Sequence, residues 1–297
     1  MNSVVQHSIS KINIGLAILN KRADGYHAID TIFQSIHLGD TIYFAKHHSV
    51  VFSGIAPELP PYMNDMIPYD ESNLAMKALR TVQNYTGCTT GGAIHLLKRV
   101  PPAAGLGGGS GDAAAMLLGL NTFWDLRLTE AELFQLAKTL GSDVPFLLKG
   151  GTARGTGRGE ELRYLSTGKA HWLLLVKPEI SVSTGTAYNR FNGISAFNSA
   201  TIDAVEKSMN DGRMDEAMQR SGNTFEELLF PNNEELAQCK AFFADRGHTV
   251  VMTGSGPTMA VYLNQARDAL DLQEEIKAAG HNWLSLITRT HAKEELA

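Results

Sequence analysis

Four glycines fall within five positions, Gly105-Leu-Gly-Gly-Gly109, directly ahead of an Ala/Leu-rich run from Ser110 to about Trp124. Glycines packed this densely weaken any helix or strand, so the stretch Pro101–Gly109 reads as a loop and the run after it as a helix. The helix presents unpaired N–H groups and the positive end of its dipole to whatever the loop approaches. A junction of this kind suits a polyphosphate. Two familiar phosphate loops are excluded. A Walker A loop ends in Gly-Lys-Ser/Thr, and no lysine follows these glycines; the G-x-G-x-x-G pattern counted from Gly105 needs glycine at 110, which is Ser110.

Three further places can carry chemistry. Asp143, in Gly141-Ser-Asp-Val-Pro-Phe146, follows a helix that a Thr129/Glu132 capping-box pattern starts and Gly141 ends. It is either an aimed carboxylate or a cap for the next helical turn. Lys11 opens a strand in which Ile12, Ile14, Leu16 and Ile18 alternate with other residues, with Asn13 two positions on and Asp24-Gly-Tyr26-His27 after it. A cation there can offset charge developing on a phosphate. Gly254-Ser255-Gly-Pro-Thr258 lies between two strand-like runs. It brings backbone close to a phosphate, or it is a plain hairpin.

The chain has 297 residues, 43% hydrophobic and 19% charged, with a net charge of −5 and no dense basic run. That balance argues against nucleic acid as a partner. The N-terminal residues lack a basic and then apolar leader, and the longest apolar stretches are too short to span a bilayer. No membrane partner is expected, and the protein is expected in the cytoplasm. Cys88 and Cys239 have no metal-ligand spacing. Strands are expected at Thr41–Phe44, Ser49–Phe52 and Ala93–Lys98, an exposed loop at Pro57–Asp70, and a helix from Ser72 with Leu74, Ala78, Val82 and Tyr85 on one face. From His171 the order is strand, helices, strand, strand, helix, strand, a split-βαβ layout. A domain boundary is expected near residue 164.

In order along nearly the whole chain, Lys11-Ile-Asn13-Ile, Arg22-Ala-Asp-Gly-Tyr-His27, Gly105–Ser110, Gly141–Phe146, Gly157-Arg-Gly-Glu160, Val176-Lys-Pro178 and Gly254-Ser-Gly256 resemble the GHMP kinase superfamily. The Ala-Asp-Gly-Tyr-His stretch resembles the branch of that family whose acceptor is a cytidylyl-methylerythritol alcohol; the sugar, homoserine and mevalonate kinases do not share it. The resemblance implies an α+β fold of two domains: residues 1–164 an ATP-binding domain of a ribosomal-protein-like type, and 165–297 a ferredoxin-like domain. It implies ATP and Mg2+ as cofactors. It implies that Asp143 is the catalytic aspartate and Lys11 its partner. Gly105, Leu106, Gly107, Gly108, Gly109 and Ser110 would form the phosphate loop, with Asn73 and Lys98 near the adenine. Asn13, His27, Gly254 and Ser255 would contact substrate, and Tyr26 and Tyr188, in different domains, would sandwich the cytosine ring. The family commonly carries a small polar residue after Ser110; Gly111 stands there in this chain.

Overall fold

The computed structural model describes residues 2–166, 168–182 and 184–292. Its strands are β1 (Ser3–His7), β2 (Ser10–Lys21), β3 (His27–Ile36), β4 (Thr41–Ala45), β5 (Val50–Ile55), β6 (Gly92–Leu97), β7 (Thr152–Thr156), β8 (Glu161–Tyr164), β9 (Trp172–Lys177), β10 (Val250–Met252), β11 (Met259–Leu263) and β12 (Leu284–Arg289). They form three four-stranded sheets, ordered β1-β4-β6-β5, β2-β3-β7-β8 and β10-β11-β9-β12. The chain makes two compact units. One comprises Met1–Lys11, Leu38–Pro102 and Gly107–Gly150, the other Ile12–His37, Ala103–Leu106 and Gly151–Ala297.

In the first unit, β4 and β6 bury one face, with Ile42, Phe44, Ile94 and Leu96 inward while Tyr43 stays exposed, as period-2 alternation requires. Helices Leu74–Thr86 and Gly108–Phe123 pack on each other. At Gly119 a β-carbon would lie 2.4 Å from the Phe44 ring, so this glycine lets the second helix close onto the sheet. The Asn73 side chain accepts from the Ala75 N–H to start the first helix, and Gly87 ends it at φ 70°, a conformation that favours glycine. The buried stripe is Ala75, Met76, Ala78, Leu79 and Val82, which includes the predicted Ala78 and Val82 but not Leu74 or Tyr85. Tyr85 is turned outward, where its hydroxyl donates to Glu132 at 3.0 Å. The stretch 57–70 is not the exposed loop expected: it holds a short helix, Pro61–Asn64, and buries Leu59, Met63 and Ile67. The Asn64 carboxamide folds it back by accepting from the Ala56 N–H.

In the second unit, the sheet order β10-β11-β9-β12 is second-third-first-fourth in chain order, with every pair antiparallel. That is the split-βαβ layout. Leu174, Val176, Met252 and Val261 from its strands meet Phe225, Phe243, Leu272 and Ile276 in one core. Strand β2 alternates in sequence yet is buried on both faces from Ser10 to Ile18. The residues between its large apolar ones are small, and at Gly15 a β-carbon would lie 2.8 Å from Ile202 of the helix Ser199–Asn210. A helix approaching that closely covers what a period-2 pattern would leave to water. No helix among the described residues is long and apolar enough to cross a membrane.

Candidate active site

Within the first unit, Lys11, Asp143 and the start of the phosphate helix come together. The helix begins at Gly108, two residues earlier than its sequence predicts, so the loop ends at Gly107. Gly107 is the N-cap at φ 71°, and no side chain caps this end. The first-turn N–H groups of Gly108, Gly109 and Ser110 therefore remain for solvent or an anion. The glycines differ in purpose. A β-carbon at Gly107 would lie 3.2 Å from Lys11 Cγ and from Leu147 Cδ1; one at Gly108, 2.8 Å from Val100 Cγ1; one at Gly109 meets nothing within 4 Å. Only Gly109 opens outward. At Gly111 a β-carbon would lie 2.3 Å from the Ile9 carbonyl oxygen, so the helix sits too close to that backbone for a serine.

Asp143 occupies the N-cap position of the helix Val144–Lys149 but makes no capping bond. Its carboxylate lies 3.7 Å from Lys11 Nζ, with the lysine 4% exposed and the aspartate 31%. Of the two readings open to Asp143, the cap finds no side-chain bond in the structure. Burial lowers the Lys11 pKa, against the opposing pull of Asp143. The ammonium is thus poorly solvated and gains from any negative charge brought beside it.

Asn73 and Lys98 are the other expected ATP residues in this unit. Both are buried. The Asn73 amide donates to the Pro68 carbonyl while capping its helix. The Lys98 ammonium is taken up by Asp40 and Asp112.

Within the second unit, Leu106 is buried, and a β-carbon at Gly105 would strike the Thr253 carbonyl at 2.2 Å. The loop carrying Gly254 and Ser255 thus packs on Gly105. Asn13, expected to touch substrate, is 1% exposed and holds this loop. Its Oδ1 accepts from the Gly254 N–H at 3.0 Å, and its amide donates to Thr31 Oγ1 at 2.7 Å. Asn223, which the sequence did not single out, works beside it, donating to the Met252 and Gly254 carbonyls at 2.6 and 2.8 Å. The only signal it offers in sequence is that of an N-cap, Asn-Thr-Phe-Glu.

Tyr26 and Tyr188, expected in different domains, lie in this one unit. Tyr188 stacks on His27, ring centroids 5.3 Å apart and 11° between planes, and its edge meets Phe225 at 4.9 Å. Tyr26 is 59% exposed with the Arg158 guanidinium 5.0 Å from its ring centre. Arg158, from the Gly157-Arg-Gly-Glu160 stretch, is a second contributor the site prediction left out. Partial burial, and then Lys21, lower the His27 pKa. The neutral imidazole keeps one donor and one acceptor nitrogen, as reading a base edge requires. The unfolded chain takes up this proton first, so the stability linked to His27 is intact above about pH 6.5 and is lost as pH falls below it. An NMR titration is expected to place the His27 midpoint below 6.5 and to find it moved upward in Lys21→Gln; a midpoint at or above 6.5 would contradict this environment.

A glycine loop leading into an uncapped helix, a lysine–aspartate pair beside that helix and a split-βαβ sheet are features that the resemblance to the GHMP kinases implied. The family model for the GHMP kinases N terminal domain matches residues 73–151, which span Asn73, the glycine loop and Asp143. A 4-diphosphocytidyl-2-C-methyl-D-erythritol kinase of Bacillus velezensis is 36% identical over 260 residues, covering 86% of this chain and 86% of its own. Another, from Caldanaerobacter subterraneus, is 35% identical over 271 residues, covering 90% and 91%. The chain belongs to the 4-diphosphocytidyl-2-C-methyl-D-erythritol kinase family. The crystal structure of a 4-(cytidine 5'-diphospho)-2C-methyl-D-erythritol kinase matches 97% of this chain and 100% of its own with a TM-score of 0.76 at 28% identity. A mevalonate kinase from L. major, 13% identical, matches with a TM-score of 0.75 and shares the fold alone.

Proposed function

We propose that this kinase transfers the γ-phosphoryl group of ATP to the 2-hydroxyl of 4-diphosphocytidyl-2-C-methyl-D-erythritol, a step of the non-mevalonate (methylerythritol phosphate) isoprenoid pathway. The observation that carries the chemistry is the Lys11–Asp143 pair next to the uncapped helix end at Gly107. N–H groups of the first turn hold phosphate oxygens. Asp143 orients the acceptor hydroxyl and accepts its proton. A carboxylate is a weak base for an alcohol, but in a loose phosphoryl-transfer transition state that proton becomes acidic late, so placement matters more than basicity. Lys11, poorly solvated, stabilises the charge that builds on the transferred group and holds Asp143 in line.

Mg2+ would neutralise charge on the triphosphate. Among the described residues no group of three or more His, Cys, Asp or Glu could hold a metal. The ion would arrive with the phosphates, which is the usual mode for Mg2+ at nucleotide sites. Ser110, half-buried in the first helical turn, would be the side chain to touch it. ATP and a charged cytidylyl acceptor do not cross a bilayer unaided, and we propose the cytoplasm as the place of the reaction.

For the acceptor, His27, Tyr188 and Tyr26 supply the stacking faces and Arg158 a cation. The test is ADP release with the cytidylyl substrate, mevalonate, homoserine and galactose. The cytidylyl substrate is expected to be turned over far faster than the rest. Tyr26→Ala or Tyr188→Ala is expected to raise its KM by about tenfold, since one stacked aromatic is worth roughly 1–3 kcal/mol and a decade about 1.4. KM for ATP should hold constant. Unchanged acceptor KM in both variants, or better turnover of mevalonate or homoserine, would overturn the acceptor assignment.

A further inference from the structure

Three ionisable groups lie under the first turn of the phosphate helix, and the reaction as described uses none of them. Lys98 is 4% exposed, Asp40 1% and Asp112 2%. The Lys98 ammonium donates to Asp40 Oδ2 and, at 2.7 Å, to Asp112 Oδ2. Asp40 Oδ1 accepts from the backbone N–H groups of Arg99 and Val100 at 2.5 and 2.9 Å. Asp112 Oδ1 is buried without a hydrogen-bond partner, as is the hydroxyl of Tyr69, which feels the charges of all three. Burial, with Asp40 adding to it against the pull of Lys98, pushes the Asp112 carboxyl well above the usual range.

Such a cluster is a poor device for stability. Desolvating one cation and two carboxylates costs about what their attraction returns. It is, however, well placed to fix a geometry. The turn it supports contains Gly108, Gly109 and Gly111, and each glycine in a helix costs about 1 kcal/mol relative to alanine. The N-cap contributes no side-chain bond. Local sequence therefore does little to hold the turn whose N–H groups must converge on a phosphate. Asp112 lies one turn beyond Gly108, and a β-carbon at Gly108 would lie 3.5 Å from Lys98 Nζ. The ammonium thus sits beside Gly108 at the start of the turn while it is bound to Asp112 at the end.

We propose that Asp40, Lys98 and Asp112 are positioning residues that hold this turn in its phosphate-gripping form. Lys98 acts on ATP through Gly108 and Asp112, not by contact with the base. The proposal rests on the reading of the loop as the ATP phosphate site. It replaces the adenine contact that the family resemblance gave to Lys98.

The test compares dissociation constants of MgATP and adenosine for the full chain and for Asp112→Asn and Lys98→Met, with melting temperatures alongside. Asp112→Asn keeps shape and an acceptor for Lys98. It is expected to weaken MgATP by about tenfold while adenosine changes by less than twofold and the melting temperature stays within a few degrees. Adding Asp112→Asn to Lys98→Met should cost MgATP nothing further, since both act through one contact. Equal losses for adenosine and MgATP in Lys98→Met would mean that the lysine touches the base, and would overturn the proposal. So would native MgATP affinity in Asp112→Asn, or its failure to fold, which would make the cluster a plain stability element. MgATP binding by the unaltered chain separates these outcomes from a failure of the kinase reading itself.

Discussion

Asp143→Asn is expected to lower kcat by about a hundredfold or more, the range for loss of a general acid–base group, and to leave MgATP affinity nearly unchanged. The substitution keeps the side chain's shape but removes both the proton acceptor and the charge facing Lys11 at 3.7 Å. Asp143 makes no capping bond, so its helix should not loosen. Lys11 will feel the change: burial already lowers its pKa, and Asp143 is what opposes that. The pH–rate profile of the variant should show an ammonium lost at lower pH than in the parent. Near-normal turnover in a folded variant would remove Asp143 from the chemistry.

Gly109→Val is expected to raise the dissociation constant of MgATP by tenfold or more, with a melting temperature close to that of the parent. The reason is spatial. A β-carbon at Gly109 meets nothing within 4 Å, and side chains of a first helical turn tilt toward the helix N-terminus, where phosphate oxygens would lie. A tenfold change corresponds to about 1.4 kcal/mol, a modest demand for a branched side chain that blocks N–H donors. The neighbouring Gly108→Val is expected to behave differently, because its β-carbon is driven into Val100 at 2.8 Å. That variant should lose stability first, as overpacked sites do. Calorimetry on Gly109→Val showing parental MgATP affinity would rule out the loop as the phosphate site.

Much of the scaffold is legible in the sequence because its signals are local. The Thr129/Glu132 capping box forms as its spacing predicts. Gly87 and Gly141 lie where their helices stop, and the split-βαβ sheet follows its predicted order. What sequence hides is the sharing of space between distant residues. Nothing in the row of glycines says that Gly108 faces Val100 while Gly109 faces outward, since that depends on the helix starting at 108. Asn13 resembles a ligand contact in its motif, and its partners within the chain include Thr31 on a strand and Thr253 and Gly254 in a loop far along the chain. The buried Asp40–Lys98–Asp112 cluster leaves no periodic mark at all. Tyr188 was legible as an aromatic of interest, but its stacking on His27 is set by a tertiary contact.

The interleaving of the two compact units has a consequence for how such a protein can change over time. The chain leaves one unit for the other after Lys11, His37, Pro102, Leu106 and Gly150. Neither unit is encoded by one uninterrupted stretch, unlike a domain bounded by a single linker. A recombination event with one breakpoint cannot transplant either unit whole into another gene. New acceptors must instead be acquired by substitution and loop exchange on an inherited frame, with both units carried along together. Within such a frame, surface positions such as Tyr26 can drift toward another ligand while Asn13 and Asn223, which hold the chain's own loops, are held in place.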